Sequence, residues 1–341
     1  MLQPLVSVIV VNWNGRDYLG ECLESLGLQT FLDFEVILVD NGSTDGSVEY
    51  VESQFSGFAC ILRNAENRGF SGGNNQGIKA ARGQYIALLN NDAQADRDWL
   101  KELVKAAGAD HRAGMLASKI YLQGQPKIID NVGHLIFRDG LNRGRGRLEK
   151  DHGQFDKMEE VLFPSGCAAL YRREMLEEIG LFDEDFFAYG DDTDIGLKGR
   201  LAGWKCLYVP RAVVTHRYSQ SSGSYSPLKA FYVERNRVWI AVKYFPLSLL
   251  LKSPFYTFWR FILQGYGALT GRGAAGKFSQ EHSRWQLLRI LVKAYVSAIQ
   301  GLPKMWKKRK EMKKLTRVNR AEILNWFNRF GISAREISLK E

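Results

Sequence analysis

The stretch YIALLNNDA, residues 85–93, runs apolar through four residues and then stops at Asn90, Asn91 and Asp92. A short apolar run with polar flanks is typical of a strand buried in a sheet. The polar end has two interpretations. It is a turn, because Asn and Asp favour the conformations that turns need, or it is a ligand site, because open α/β sheets bind ligands beyond the carboxyl ends of their strands. Taken alone, the stretch favours the turn.

The same pattern occurs three times upstream. The segments LVSVIVVNW (5–13) and FEVILVDNG (34–42) are also apolar runs with polar ends, and a helix with one apolar face is predicted between them. The segment ILRNAENRG (61–69), followed by a helix that opens near Ser71, repeats the unit. Four βα units in succession predict an α/β fold, with a mainly parallel sheet flanked by helices.

Polar residues at these four strand ends would meet at one edge of the sheet, where a nucleotide is expected to bind. They are Asn12 and Asn14, Asp40 and Asn41, Asn67, and Asn90 to Asp92. The sequence contains no GxxxxGK[ST] motif and no GxGxxG directly after the first strand. A P-loop NTPase and a dinucleotide dehydrogenase are therefore disfavoured.

Composition suggests a reduced, cytoplasmic protein. The chain has 341 residues, 45% of them hydrophobic, which is enough for a sizeable core. Its four cysteines show no CxxC spacing, so we expect reduced thiols. The first residues lack a basic segment and a small-residue cleavage site, so no signal peptide is expected.

The C-terminal third carries the basic charge. Residues 229–320 contain 20 Lys and Arg against three Glu, a balance of +17, so the rest of the +10 chain sums to −7. Residues 237–269 are rich in aromatic and aliphatic side chains, and Pro246 and Pro254 are expected to divide them into short amphipathic helices. The segment KMWKKRKEMKKLTR, residues 304–317, is typical of a polybasic anchor.

We expect this region to bind an anionic membrane surface peripherally. Packing on the main domain or on a partner subunit of a homo-oligomer is the second interpretation. Nucleic acid is the least favoured partner, because base-stacking and helix-turn-helix signals are absent.

Five motifs together resemble inverting glycosyltransferases of family 2, which have the GT-A fold. They are VSVIVVNWNG, VDNGSTDGS, NRGFSGGNNQGI, LLNNDA and FFAYGDDTDIGLKGRLAGWKCLYVPRAVVTH. The resemblance covers residues 4–225 and is greatest to the bacterial rhamnosyltransferase branch that builds O-antigen and other surface polysaccharides. It implies a GT-A domain at 1–225, with a nucleotide-binding half (1–110) and an acceptor-binding half (111–225). Residues 226–341 would be a helical, basic extension.

The resemblance also implies a nucleotide-sugar site. Base and ribose would contact the ends of the first two strands, and the glycine-rich loop would lie against the nucleoside. The residues implied are Val11, Asn12, Asn14, Asp40, Asn67, Gly69, Gly73, Asn74, Asn90, Asn91 and, beside the donor sugar, Gly166.

A divalent metal is implied by the position of Asn90, Asn91 and Asp92, which occupy the place of the family's DXD motif. Asp92 would bind Mg²⁺ or Mn²⁺, and His216 would complete the site. Because the leading acid is replaced by Asn90, we expect either that the ion binds mainly together with the nucleotide or that the reaction depends less on the ion. Mg²⁺ commonly takes one or two protein carboxylates plus substrate phosphates, so this ligand set is sufficient.

The catalytic base is expected in YGDDTDIGLK, where Asp192 would take the acceptor proton and Asp191 would assist acceptor binding. The alternative is that these acids only stabilise the start of a helix. The function expected is transfer of L-rhamnose from dTDP-L-rhamnose to a lipid-linked or lipopolysaccharide acceptor at the cytoplasmic face of the membrane. The alternatives are a non-catalytic GT-A sugar-binding module and a sugar nucleotidyltransferase.

Overall fold

The computed structural model describes residues 3–217 and 226–340. It contains two compact units. The first unit comprises Met1–Gly133, Arg145–Gly199 and Trp204–Ser221, and the second comprises His134–Gly144, Arg200–Gly203 and Ser222–Glu341. The boundary expected at residue 225 falls in 218–225, outside the described residues. Nothing in the sequence pattern indicated that residues 134–144 belong with the C-terminal helices.

The strands are β1 Val6–Asn12, β2 Phe34–Asp40, β3 Ala59–Arg63, β4 Tyr85–Leu89, β5 Ala93–Ala95, β6 Ala113–Leu122, β7 Ile129–Asn131, β8 His134–Ile136, β9 Asn142–Gly144, β10 Glu159–Val161, β11 Ala168–Arg172 and β12 Lys205–His216. The helices are α1 Arg16–Gly27, α2 Ser47–Gln54, α3 Gly69–Ala80, α4 Trp99–Ala109, α5 Arg173–Ile179, α6 Asp191–Leu201, α7 Pro227–Tyr244, α8 Leu247–Thr270, α9 Gly273–Glu281, α10 Arg284–Leu315, α11 Arg320–Arg329 and α12 Ala334–Leu339. A 3₁₀ turn covers Glu184–Phe186.

The first unit is a mixed sheet flanked by helices. Its main strand order is β10-β12-β6-β11-β4-β1-β2-β3, with β5 beside β12 and β7 beside β6. Strands β4, β1, β2 and β3 are parallel, as predicted. The other half is mixed, because β12 is parallel to β6 whereas β11 is antiparallel to both β4 and β6, so the expectation of a mainly parallel sheet is wrong there. All five residues of β11 are buried, so the strand lacks the alternation that would have distinguished it.

Strand register brings the polar ends together. In the β1–β2 pair, Asn12 lies beside Asp40, and in the β2–β3 pair Asp40 lies beside Arg63. Helix α1 covers this part of the sheet with Leu19, Leu23 and its other buried side chains, as its apolar face predicted. The apolar face of α1 thus packs on this part of the sheet, and the polar ends of the strands lie at one edge of it.

The second unit contains the β8–β9 hairpin, helices α7 to α12 and the short segment Arg200–Gly203. Pro246 separates α7 from α8, as expected. The prediction that Pro254 ends a helix is wrong, because Pro254 lies inside the 24-residue α8. An interior proline costs about 3 kcal/mol, and the buried residues on either side of it, Ser253 and Thr257, indicate that packing offsets this cost. Within the described residues, no helix has the length and apolarity needed to cross a membrane.

Candidate active site

A buried hydrogen-bond network joins the ends of β1 and β2. Nδ2 of Asn12 donates to Oδ1 of Asp40 and to Oγ of Ser43, each at 3.2 Å. Oδ1 of Asn12 accepts from Nδ2 of Asn91 at 2.7 Å, which ties in the loop after β4. Asn14 has a φ of 50°, and its backbone N–H donates to Ser43 Oγ at 2.9 Å. The network therefore fixes the loops over three strand ends.

The start of α3 is held against this network. Oδ1 of Asn67 accepts from the backbone N–H of Gly69 at 2.8 Å, and Nδ2 of Asn41 donates to the Gly69 carbonyl at 3.0 Å. Gly69 has a φ of 71°, and a Cβ there would lie 2.4 Å from the carbonyl oxygen of Phe187. Only glycine fits this position, because the backbone of the loop before α6 occupies the space of a side chain.

The next turn of α3 packs on β1. A Cβ at Gly73 would lie 2.7 Å from a methyl group of Val11, so α3 approaches the sheet closely at this point. The side chain of Asn74 is buried, and its Nδ2 donates to the carbonyl of Phe70 at 2.9 Å. Asn74 therefore contributes to the helix itself.

The Asn90–Asp92 segment forms a turn, and it also connects the end of β4 to the residues around Cys167 and His216. The backbone N–H of Ala93 donates to the carbonyl of Asn90 at 3.1 Å, which closes the turn. The backbone N–H of Asn90 donates to the carbonyl of Cys167 at 2.8 Å. Asp92 is buried, and its Oδ1 accepts no hydrogen bond although Nε2 of His216 lies 3.3 Å away. The two interpretations of this segment are thus compatible.

Strand pairing brings His216 to Asp92, because His216 at the end of β12 pairs with Ala93 of β5. Nδ1 of His216 lies 2.8 Å from Oδ2 of Asp130, whose other oxygen contacts Arg147. Burial opposes the imidazolium form, but Cys167, Asp130 and Asp92 outweigh it and raise the pKa of His216 well above its usual value. Asp130 belongs to no recognised motif, so the sequence did not indicate it.

Asp92 and His216 fit a divalent metal. Their facing atoms are 3.3 Å apart, close to the separation of about 3 Å between adjacent ligands of an octahedral ion. The Asp92 oxygen that accepts no hydrogen bond is the atom that a metal would satisfy. In residues 3–217 and 226–340, no group of three or more His, Cys, Asp or Glu side chains is arranged to hold an ion. Two protein ligands therefore leave most coordination positions to water or a diphosphate.

The acidic cluster at the start of α6 lies near Gly166. Asp191 is buried, and its Oδ2 would lie 3.8 Å from a Cβ built on Gly166. Burial and the neighbouring Asp192 raise the pKa of Asp191 well above its ordinary value. Asp192 is half-buried, and its Oδ1 accepts from the backbone N–H of Thr193 at 2.7 Å.

The loop before α6 is strained. Phe187 has a φ of 64° and Tyr189 a φ of 63°, a conformation that bulky residues rarely adopt. Such strain persists only where surrounding contacts impose it, and it often accompanies functional sites. Here the Phe187 carbonyl contacts the first turn of α3. The strained loop thus joins α3 to the acidic residues of α6.

One peptide segment connects these groups. Gly166 faces Asp191, while Cys167 accepts a hydrogen bond from Asn90 through its carbonyl and contacts His216 through its side chain. The structure therefore gathers the ends of β4 and β12 and the start of α6 around Gly166 and Cys167. These residues are far apart in sequence, and only the fold brings them together.

Comparison with known proteins identifies the family. The family described as glycosyl transferase family 2 matches residues 7–180, slightly more than half of the chain. The chain belongs to this family and is a glycosyltransferase.

Two relatives and one solved structure show how far the similarity reaches. The chain is 29% identical over 232 residues to protein y4gI of Sinorhizobium fredii, a match that covers 64% of the chain but only 25% of that protein. It is 27% identical over 244 residues to the N-acetylglucosaminyl-diphospho-decaprenol L-rhamnosyltransferase of Mycobacterium tuberculosis, covering 65% of the chain and 79% of that protein.

The fold is similar to that of the mannosyltransferase PcManGT from Pyrobaculum calidifontis, solved in complex with GDP-Man and Mn²⁺. The TM-score is 0.54 at 18% identity, covering 90% of this chain and 89% of that one. At this identity the likeness shows the fold alone, a mixed α/β sheet with flanking helices.

Proposed function

We propose that the protein is an inverting glycosyltransferase that moves a sugar from a nucleotide-sugar donor to a glycan acceptor. The observation that carries this proposal is the convergence of Asp92, His216 and Asp191 on the Gly166–Cys167 segment. A paired carboxylate and imidazole suit a diphosphate-bound metal, and a separate acidic pair suits proton removal.

In the proposed reaction, the acceptor hydroxyl oxygen attacks the anomeric carbon of the donor sugar as the bond to the diphosphate oxygen breaks. Asp192 takes the hydroxyl proton as the new bond forms, and the nucleoside diphosphate leaves. The half-buried position of Asp192 supports this role, because a general base must reach the acceptor. Asp191 is buried beside it and would orient the acceptor.

Asp92 and His216 would hold the metal, Mg²⁺ or Mn²⁺, which when bound stabilises the charge that develops on the diphosphate. Asp130 would hold the imidazole of His216 in the tautomer that leaves Nε2 free for the ion, because Nδ1 then donates to Asp130. The proposed donor contacts come from Val11, Asn12, Asp40 and the loop at Gly69.

L-rhamnose, supplied as dTDP-L-rhamnose, is the proposed donor sugar, and a lipid-linked or lipopolysaccharide glycan is the proposed acceptor. The name of the mycobacterial relative, an L-rhamnosyltransferase acting on N-acetylglucosaminyl-diphospho-decaprenol, supports rhamnose as the sugar and a lipid-linked glycan as the acceptor. Such an acceptor lies in a membrane, so we propose that the protein works peripherally at the cytoplasmic face.

A donor panel tests this function. Nucleoside diphosphate release is measured for UDP-, GDP- and dTDP-sugars with Mg²⁺ or Mn²⁺, in the presence and absence of a polyprenyl-diphosphate-linked glycan. We expect release from one donor, dependent on the acceptor and highest for dTDP-L-rhamnose. Turnover with another donor would replace L-rhamnose as the proposed sugar but would still support the proposed transfer reaction. Donor binding without turnover under any condition would replace the proposal by a sugar-binding module.

A further inference from the structure

Helix α8 carries its polar residues inward. The side chain of Arg260 is fully buried, and its Nε donates to Oδ2 of Asp139 at 2.7 Å. Its Nη1 and Nη2 donate to the two oxygens of Glu234 at 2.8 and 3.0 Å. Thr257, one turn earlier, is buried on the same face and donates to Asp139 at 3.3 Å. All these residues belong to the second unit, whose interior is therefore ionic at this helix.

The outward face of α8 is apolar. It exposes a continuous stripe at helical spacing, because residues three and four apart are neighbours on a helix surface. Phe255 is 78% exposed, Leu251 75% and Leu269 70%. The complete stripe is Leu247, Leu251, Phe255, Phe258, Trp259, Ile262, Tyr266 and Leu269.

Helix α8 therefore buries polar side chains and exposes apolar ones, which is the opposite of a surface helix whose outer face contacts water. Soluble proteins rarely expose a large contiguous apolar surface unless it binds something. Here the inward face is already occupied by the ion pairs of Arg260, so only the outward face is available to an apolar environment. The structure thus indicates an apolar partner on one side of α8.

Helix α10 adds a second exposed stripe with basic flanks. Trp285, Leu288, Val292, Val296, Ile299 and Trp306 are exposed on it. Helix α10 contains no Asp and a single Glu, Glu311, against many Lys and Arg, and α8 contains no acidic residue and the exposed Lys252. Two copies of such a surface would repel each other, whereas an anionic lipid surface attracts both its charge and its apolar side chains.

We propose that the outward face of α8, together with the exposed stripe of α10, is the surface on which the protein docks to an anionic lipid bilayer. The helices lie in the interface, with the aromatic and aliphatic side chains among the lipid headgroups and acyl chains. Lysines beside the stripe of α10, among them Lys293 and Lys307, contact lipid phosphates. This surface deepens the proposed function and rests on it for its purpose, which is to hold the enzyme where a lipid-linked acceptor is presented.

Vesicle flotation with the full chain tests this surface, without donor or metal, so that its failure would leave the transferase proposal standing. Vesicles of phosphatidylcholine alone are compared with vesicles that also contain phosphatidylglycerol. We expect binding to the anionic vesicles only, weakened by added salt because exposed charges are screened. In F255S/F258S, the loss of two exposed rings is expected to lower the partition coefficient about 100-fold.

The matched control is L28S/L32S, which removes two exposed leucines of the first unit and should bind vesicles like the wild type. Thermal unfolding followed by circular dichroism checks that both variants are folded. Equal vesicle binding by F255S/F258S and the wild type would overturn the proposal, as would no binding by the wild type. A wild-type dimer that F255S/F258S converts to a monomer, without vesicle binding, would assign the surface to a second copy of the chain.

Discussion

Helices α1 and α8 are both amphipathic, but they bury opposite faces. Helix α1 buries Leu19 and Leu23 against the sheet and exposes Arg16 and Glu24. Helix α8 buries Arg260 and exposes an apolar stripe. In the first unit the polar groups gather at the sheet edge, where they form a site, whereas in the second unit a polar cluster forms part of the interior. Buried polar residues therefore have different tasks in the two units, so substituting them should produce different losses.

The largest effect is expected for Asp192→Asn in the first unit. Removing a general base lowers turnover by about 10² to 10⁴-fold, and we expect donor binding and thermal stability to stay near wild type. Turnover is measured as nucleoside diphosphate release with donor and acceptor saturating. Glu177→Gln, an exposed acid on α5, is the control and should keep its activity. If Asp192→Asn kept its full turnover, Asp192 would not be the general base and would only stabilise the start of α6.

The second effect belongs to the second unit, where Glu234→Gln should cost stability. It leaves the buried Arg237 and Arg260 without their shared carboxylate, and breaking a buried ion pair costs about 3–5 kcal/mol. Urea unfolding followed by fluorescence measures the loss. Glu311→Gln, at an exposed glutamate of α10, should change stability little. A Glu234→Gln chain as stable as the wild type would show that the ionic cluster contributes nothing.

The same residue predicts a pH dependence. Arg237 and Arg260 overcome the effect of burial and lower the pKa of Glu234 from 4.5 to about 2. Because the folded pKa is lowered, the stabilising contribution is complete above about pH 4.5 and is lost as the pH falls towards about 2. Wild-type stability should therefore fall more steeply over this range than that of Glu234→Gln. Parallel stability curves for the two proteins would contradict the lowered pKa.

A smaller effect is expected for Asp130→Asn, which acts on the site through His216. Loss of the carboxylate that orients a metal-binding histidine typically lowers metal affinity about 10–100-fold. Mn²⁺ affinity is measured by titration calorimetry with nucleoside diphosphate present, and excess Mn²⁺ should restore activity. Arg147→Met breaks the contact between Arg147 and Asp130 and is the control. If both variants lose affinity equally, the effect arises from the local fold.

The smallest effect is expected for Asn90→Asp, which restores an acid at the first position of the motif. A further carboxylate near the ion should tighten Mn²⁺ binding without nucleotide, on the order of threefold to tenfold. The matched comparison is Asn91→Asp, because Asn91 is the neighbouring amide and its Nδ2 is already used in a hydrogen bond to Oδ1 of Asn12. An unchanged affinity in Asn90→Asp would mean that position 90 does not face the metal.

Much of the first half of the fold is predictable because its signals are local. The apolar runs at 5–13 and 34–42 correspond to β1 and β2, and a helix expected near Ser71 begins at Gly69. Parallel pairing of these strands follows from their helical connections. The antiparallel β11 was not predicted, since a strand buried on both faces looks the same in either direction.

The site was predictable only as separate pieces. Asp92 and His216 were expected to share a metal, and the structure brings them within 3.3 Å. Gly166 was expected beside the donor sugar, whereas Asp130 and the contacts of Cys167 with Asn90 and His216 depend on the tertiary structure, which no local pattern describes. Sequence also overstated the basic surface of residues 304–317, because Arg309 is buried and donates to the carbonyls of Val242 and Phe245.

By itself, the sequence determined which residues share a face of each regular helix and strand, and which strand ends are polar. It also determined the family, because the order of five motifs carries that information without a fold. The tertiary structure alone decided what covers each face. Periodicity is a property of one segment, whereas burial depends on every other segment packed against it. Hence the sequence predicts that α8 is amphipathic but not which face is buried. Only the buried ion pairs of Arg260 show that its apolar face points outward.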